Sequence, residues 1–255
     1  MILDIRAMRM QFGGLVAVDD FSLSIEKGGL VGLIGPNGAG KTTVFNVVTG
    51  AYPPTRGAIL MEGRDITGMR PDLVTRLGIA RTFQNIRIFS RMSVIENILV
   101  SLHWRLRASI VDAFLLDRRY RMEEERMRAV AMGLLAEVNL DRVAGAPAGS
   151  LPYGSQRRLE VCRALATEPK LLLLDEPAAG MNPAESMELM RFIKRIQEDF
   201  GLTILLIEHQ MRVVMGISEK IVVLDHGIEI ARGTPEEVSR DPKVIQAYLG
   251  VQEHA

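Results

Sequence analysis

Gly35-Pro-Asn-Gly-Ala-Gly-Lys-Thr42 follows the apolar run Leu30-Val-Gly-Leu-Ile34 and precedes Thr43-Val-Phe-Asn-Val-Val48, which reads as a helix. The order is strand, glycine-rich loop, helix. Backbone N–H groups of such a loop, with the positive end of the helix dipole, converge on one point and favour an anion there. Phosphate is the natural occupant. Glycines at 35, 38 and 40 let the backbone curl close to phosphate oxygens, Lys41 reaches toward the β and γ groups, and the Thr42 hydroxyl is placed to ligate Mg²⁺. Every fixed position of the phosphate-loop motif is present, so the chain is expected to bind a nucleotide.

The 255 residues, 47% hydrophobic and 24% charged, suit one large domain or two closely joined ones. Thirty-one basic and thirty-one acidic side chains cancel, so bulk charge gives no argument for nucleic acid or an anionic membrane as partner. A single cysteine, Cys162, excludes an intrachain disulfide, and with no cleavable signal at the start of the chain a reducing cytosol is expected. No apolar stretch approaches the roughly twenty residues that cross a bilayer, so if the protein serves a membrane, other chains span it.

Ile2 to Gln11 and Leu15 to Ile25 alternate as strands do, joined through Phe12-Gly13-Gly14, a turn by composition. Phe12 at that tip either stacks on an adenine or packs in a core, and the pattern leaves both open; Val18 is a weaker candidate for the same base pocket, and Phe21 reads as core. Gly57 to Gly63 reads as a short strand and turn, and Leu77 to Phe83 as a strand that ends at Gln84. The Gln84 amide either reaches a metal or attacking water or caps the next segment.

From about Arg91 to Arg142 the periodicity becomes helical, with Met127, Val130, Leu134, Leu135 and Val138 on one face and Glu124 with Arg128 as an i,i+4 pair on the other. Trp104 to Leu116 mixes basic residues with an apolar face and reads as a core helix, or one lying on a membrane or partner; Arg118 to Arg128 reads as a solvated helix face. Gly149-Ser-Leu-Pro-Tyr-Gly-Ser-Gln156 interrupts the period as the loop and first turn of a helix. Its free N–H groups either meet a phosphate or are capped by Ser150 or Ser155.

Leu171-Leu-Leu-Leu-Asp-Glu-Pro177 is a continuous apolar strand ending in two carboxylates, the pattern of a buried parallel strand whose carboxyl end faces a site. Adjacent residues there point apart. Asp175 can hold Mg²⁺ while Glu176 orients or deprotonates an attacking water. Gly201 to Ile207 is a second buried strand, followed by Glu208-His209-Gln210, so His209 leaves the sheet at the same edge and can meet a γ-phosphate; His103, His226 and His254 have no such setting. Ile221 to Leu224 and Ile228 to Ala231 form a last hairpin, and Pro235 to Leu249 a closing helix.

Taken together, these pieces resemble the ATP-binding cassette (ABC) family along essentially the whole chain. Gly35, Asn37, Gly38, Ala39, Gly40, Lys41, Thr42 and Thr43 match the phosphate loop, Gln84 the glutamine loop, and Leu151-Pro-Tyr-Gly-Ser-Gln156 the signature. Asp175-Glu176 match the metal and base pair, His209 the switch histidine, Ala179-Gly-Met-Asn182 the D-loop and Phe12 the aromatic that stacks on adenine. More narrowly, Tyr153 to Glu160, Ala178 to Pro183, Ile207 to Gln210, Met215 to Ser218 and Ala247 to Gly250 resemble the larger ATPase subunit of branched-chain amino acid importers, with relatives serving urea and amides.

The resemblance implies an α/β fold: a P-loop NTPase core with a mixed, mainly parallel sheet and flanking helices, an N-terminal antiparallel β part and an inserted α-helical subdomain. Residues 1–86 and 168–255 would form the nucleotide-binding core and 87–167 the helical signature subdomain. It implies ATP and Mg²⁺ as ligands, with Glu176, His209 and Gln84 catalytic, Thr42, Gln84 and Asp175 at the metal, and Gly154 and Ser155 touching nucleotide. The implied partners are permease subunits in the membrane, a second ATPase (identical or different) and, indirectly, an external solute-binding protein, with no nucleic acid. The place is the cytoplasmic face of the inner membrane. Two positions depart from the family: Pro152 where a serine usually contacts the opposite γ-phosphate, and Asn182 where the D-loop has aspartate. Weakened phosphate contact at Pro152 is expected, and it keeps open an alternative, a regulatory or non-transport cassette with weakened hydrolysis.

Overall fold

A computed structural model describes residues 1–103 and 118–249. They form two compact units, Met1–Gln84 together with the chain from Lys170 onward, and Asn85–Pro169. The stretch from Trp104 to Leu116 and His254 lie outside the described residues.

The strands of the first unit are Leu3–Phe12 (β1), Leu15–Ile25 (β2), Leu30–Ile34 (β3), Arg56–Met61 (β4), Arg64–Asp65 (β5), Ile79–Arg81 (β6), Leu171–Asp175 (β7), Thr203–Ile207 (β8), Lys220–Asp225 (β9) and Ile228–Gly233 (β10). They make two sheets, one in the order β2-β1-β4-β5 and one in the order β10-β9-β3-β8-β7-β6. The first is antiparallel, and β1 carries an irregularity: Ile5 pairs with Leu23 but Met8 with Phe21. Ala7, at φ 44°, is the extra residue, and its N–H donates to Ser22 Oγ at 2.9 Å. This bulge lets Leu3, Ile5 and Met8 all face inward although the simple alternation is broken.

In the second sheet β9, β3, β8, β7 and β6 run parallel, and only β10 turns back. β3, β7 and β8 are buried at every position. A parallel strand covered on both faces must be apolar throughout, which is why these three read as unbroken hydrophobic runs. One cluster joins the sheets and the phosphate-loop helix Lys41–Val48, with Leu3, Phe21, Phe45, Ile59, Leu173 and Leu205 among its fully or nearly fully buried members. A second cluster on the other side holds Ile34, Val214, Ile221, Val223, Val238 and Val244.

Three expectations are corrected. The strand read over Leu77 to Phe83 is only Ile79–Arg81, because Leu77 closes the helix Pro71–Arg76 and Gly78 turns the chain at φ 101°. The closing helix is two helices, Pro235–Arg240 and Pro242–Leu249. Proline at 242 cannot donate an N–H and bars Asp241 from helical backbone, which sits at φ −70°, ψ 122°. In the second unit the helix Arg118–Glu137 buries Ala131 and Leu135, with Val138 just past its end, whereas Val130 is exposed. Leu135 and Val138 are buried and Met127 and Leu134 half-buried as expected, so the face departs from expectation only at Val130, whose place in the core Ala131 takes; Arg121, Met122 and Glu124 to Arg126 are exposed, as expected of a solvated face.

That unit also contains the helices Val94–Leu102, opened by a Ser93/Glu96 capping box, and Tyr153–Leu165. Arg157, fully buried, pairs with Glu160 at 2.7 Å, and Glu160 also accepts the Arg87 N–H at 3.1 Å. The start of the second helix is capped by no side chain, so neither Ser150 nor Ser155 plays that part; Ser150 Oγ donates instead to the Pro147 carbonyl.

Leu173 lies mid-strand in β7 with no exposed surface. Leu173→Ala is therefore expected to lower unfolding free energy by about 2–5 kcal/mol in a denaturant titration, and a loss below about 1 kcal/mol would mean the core closes over the gap.

Candidate functional site

Parallel strands send their carboxyl ends to one edge, so the loops after β3, β6, β7, β8 and β9 share a neighbourhood. That edge carries the phosphate loop, Gln84, Asp175-Glu176, Glu208-His209 and the turn Asp225-His226-Gly227. A cavity of about 520 Å³ opens there, lined by residues 15–17, 37–43, Gln84, Glu176 and His226.

The phosphate loop is shaped by close backbone approach. A Cβ on Gly35, at φ 149°, would sit 2.0 Å from the Leu224 carbonyl oxygen, and one on Gly40, at φ 100°, 2.6 Å from that of Ala17. Only glycine fits at either place. Gly40 is also the N-cap of Lys41–Val48 and supplies no side-chain cap, so the helix's first N–H groups face the cavity uncapped by any side chain. Lys41 is buried, and its Nζ donates to the Gly35 and Pro36 carbonyls at 2.7 and 2.8 Å. Burial pushes its pKa down, opposed by the nearby Glu176 and Asp175 charges. An incoming phosphate would supply the anionic partner this buried ammonium lacks.

Three expected residues meet at one oxygen. Glu176 Oε2 accepts from Gln84 Nε2 at 2.7 Å and lies 3.6 Å from His209 Nδ1. Glu176 has φ 46°, left-handed for a residue with a Cβ, and is held there by its N–H to the Ile207 carbonyl at 2.9 Å. Strain of this kind persists only where surroundings over-determine it, and here it turns the carboxylate toward the cavity. Its side chain is 12% exposed and that of His209 47%, so the carboxylate is sheltered and the imidazole open to solvent.

Asp175, the preceding residue, is buried and is not among the residues that line the cavity. Its Oδ2 accepts from Arg81 Nη2 at 2.7 Å. Among the described residues no group of three or more His, Cys, Asp or Glu is arranged to hold a metal by itself. Thr42, Gln84 and Asp175 offer an alcohol, an amide carbonyl and one carboxylate, an all-oxygen set. That set fits a hard ion such as Mg²⁺, which takes few protein ligands and completes its shell with water and substrate phosphate.

Other expected residues lie elsewhere. Phe12 ends β1 at the hairpin tip, 43% exposed, its ring edge-on to Tyr52 with centroids 5.5 Å apart, and does not line the cavity. Val18 has no exposed surface, so it is core and not part of a base pocket; Leu15, Val16 and Ala17 line the cavity in its place. Gly154 and Ser155 open the helix Tyr153–Leu165 in the other unit.

Three residues at this edge were not singled out by sequence. His226 lines the cavity with a 93% exposed side chain, because β9 is parallel to β3 and its end turn is bonded to the phosphate loop, Gly227 N–H to the Ala39 carbonyl at 3.1 Å. Arg81 ends β6. Glu208, fully buried, accepts the Ala178 N–H at 2.7 Å and the His209 N–H at 3.3 Å, tying the segment after Glu176 to the one carrying the histidine. The available signal was the same in each case, a charged or titratable residue at the carboxyl end of an apolar strand.

Burial raises the Glu208 carboxyl above its ordinary value, a rise that the two N–H donors and His209 offset in part. The folded protein thus holds that proton more tightly than the unfolded chain. The associated stability is complete below the ordinary glutamate value, about 4.3, and is lost as pH rises through the folded value. Glu208→Gln removes the ionisation, so its melting temperature relative to wild type should climb as pH rises above about 4; a flat difference would show that Glu208 does not titrate with folding.

Comparison with known proteins agrees with this geometry. The family described as "ABC transporter" matches residues 18–179, and "Branched-chain amino acid ATP-binding cassette transporter" matches residues 229–254. The chain is 45% identical over 249 residues to the high-affinity branched-chain amino acid transport ATP-binding protein BraF of Pseudomonas aeruginosa, and 44% to LivG of Escherichia coli, in both cases covering 98% of each chain. Among solved structures it is similar to the ADP conformation of MJ1267, an ATP-binding cassette of an ABC transporter, with TM-score 0.86, 32% identity and 98% of each chain covered. A matched loop, paired carboxylates and histidine on one sheet edge, in a chain so similar throughout, place it: the protein belongs to the ABC transporter family and is an ATP-binding cassette ATPase.

Proposed function

We propose that this chain is the ATP-hydrolysing subunit of an importer for branched-chain amino acids or related amino acids and amides. The observation that carries the solute class is end-to-end similarity, at 44–45% identity, to proteins named for that transport. What carries the chemistry is Glu176, held by Gln84 and His209 at the mouth of the phosphate loop. The loop N–H groups and Lys41 bind the β and γ phosphates, Glu176 orients and deprotonates the attacking water, and His209 steadies the γ-phosphate. Thr42, Asp175 and Gln84 would hold Mg²⁺, which when bound neutralises charge building on the phosphates.

Residues 87–167 act as the signature-bearing subdomain, whose Gly154 and Ser155 meet the nucleotide held by a second ATPase. Phe12 stacks on adenine from the hairpin tip. The chain works on the cytoplasmic face of the membrane through separate permease subunits, supplied by an external binding protein; among the described residues no helix is long and apolar enough to cross a bilayer. Support for turnover over the regulatory alternative comes from the end-to-end similarity to transport ATP-binding proteins, and the signature helix is undisturbed by Pro152. That proline is the N-cap of its helix at φ −55°, ψ 151°, and its carbonyl accepts from Ser155 and Gln156 at 2.9 and 3.0 Å. An N-cap donates no intrahelical bond, so proline there leaves the helix start intact.

Glu176→Gln should keep ATP binding and lose roughly 10²-fold to 10⁴-fold in steady-state turnover, the scale of a positioned base; unchanged hydrolysis would remove Glu176 from the mechanism. In vesicles holding the assembled transporter, leucine, isoleucine or valine with the binding protein should stimulate ATP hydrolysis. Stimulation by some other solute alone would reassign the substrate.

A further inference from the structure

Arg81 is a buried cation set on the one carboxylate expected to receive the metal. Its guanidinium donates through Nη2 to Asp175 Oδ2 and through Nη1 to Asn46 Oδ1, both at 2.7 Å. Its Cζ lies 5.4 Å from the centre of the Phe45 ring and 5.0 Å from that of Phe83, so aromatic faces hold the group in place. The ion pair is almost fully enclosed, with side chains 8% and 5% exposed.

A buried pair of this kind is weak support for stability, because desolvation offsets its attraction. Arg81 Nε is moreover buried without a hydrogen-bond partner, a further cost. The arrangement makes better sense electrostatically. Asp175 and Glu176 are adjacent carboxylates beside a phosphate site, and unopposed they would attract any divalent cation in solution. With Arg81 on Oδ2, Asp175 is already neutralised, and a free cation gains little there. A cation carried on a nucleotide brings its own phosphate oxygens and needs only one further protein oxygen.

We propose that Arg81 is a positioning residue that shields Asp175 from free divalent cations, so that metal is accepted only together with nucleotide. This rests on Asp175 being a metal ligand, as proposed above. The guanidinium also fixes the Asp175 rotamer through Asn46, which sits on the phosphate-loop helix, and so links the metal carboxylate to the element that binds the phosphates.

Mn²⁺ binding, followed by electron paramagnetic resonance of the free ion at about pH 8, where carboxylates are ionised, tests this on the full chain with and without ATP. Without nucleotide, wild type should hold Mn²⁺ weakly and Arg81→Gln on the order of 10-fold more tightly, from loss of a unit charge opposing a doubly charged ion. Arg81→Lys, which keeps the charge, should stay within about twofold of wild type. Adding Asp175→Asn to Arg81→Gln should abolish the gain. No gain in a folded Arg81→Gln protein, or an equal gain in Arg81→Lys, would overturn the shielding role. Should Asp175→Asn alone leave Mn²⁺ binding with ATP unchanged, Asp175 would not be a metal ligand, and the premise itself would fail. If Arg81→Gln does not fold, Arg81→Met serves as the charge-free variant: a comparable gain in Mn²⁺ affinity supports shielding, and no gain in the folded protein overturns it.

Discussion

Strands buried on both faces have room for polar side chains only at their ends, and this constraint organises the protein. β3, β7 and β8 are buried at every position, with Thr203 and Asp175 as their only polar members, one at a start and one at an end. Because β9, β3, β8, β7 and β6 run parallel, their ends coincide at one edge. Chemistry gathers there because the sheet interior cannot hold it.

Gathering charge at the end of a covered sheet carries an electrostatic cost, and the site is built to offset it. Lys41 is buried and rests on the carbonyls of its own loop. Asp175 is matched by Arg81, and Glu208 by two backbone N–H groups. Glu176 is the exception: its neutral partner Gln84 and half-exposed neighbour His209 orient the carboxylate without fully neutralising it. Of the two adjacent carboxylates, one is thus locked in an ion pair and the other held beside a neutral amide and an imidazole, a difference set by their partners.

The fold was legible wherever a pattern had one physical explanation. The phosphate loop, the apolar strands and the Asp175-Glu176 pair could be read directly, because glycine, lysine and terminal carboxylates at those spacings have few other uses. Reading failed where a single-residue phase or a local break decides. Val18 belongs to the core although its neighbours line the cavity, Val130 faces outward although Ala131 is buried, and Pro242 divides the last helix. Periodicity places a face to within about one residue, and burial changes completely over that step.

Sequence alone determined which residue types stand at the sheet edge, since strand, loop and helix signals are local and hydrophobic runs mark covered strands. Tertiary structure decided which of them touch. Gln84 and Glu176 are 92 positions apart, Arg81 and Asp175 are 94, and strand order alone sets β6 beside β7. His226 reaches the cavity only because β9 pairs with β3 in parallel, a choice made by long-range packing that no short window of the chain encodes.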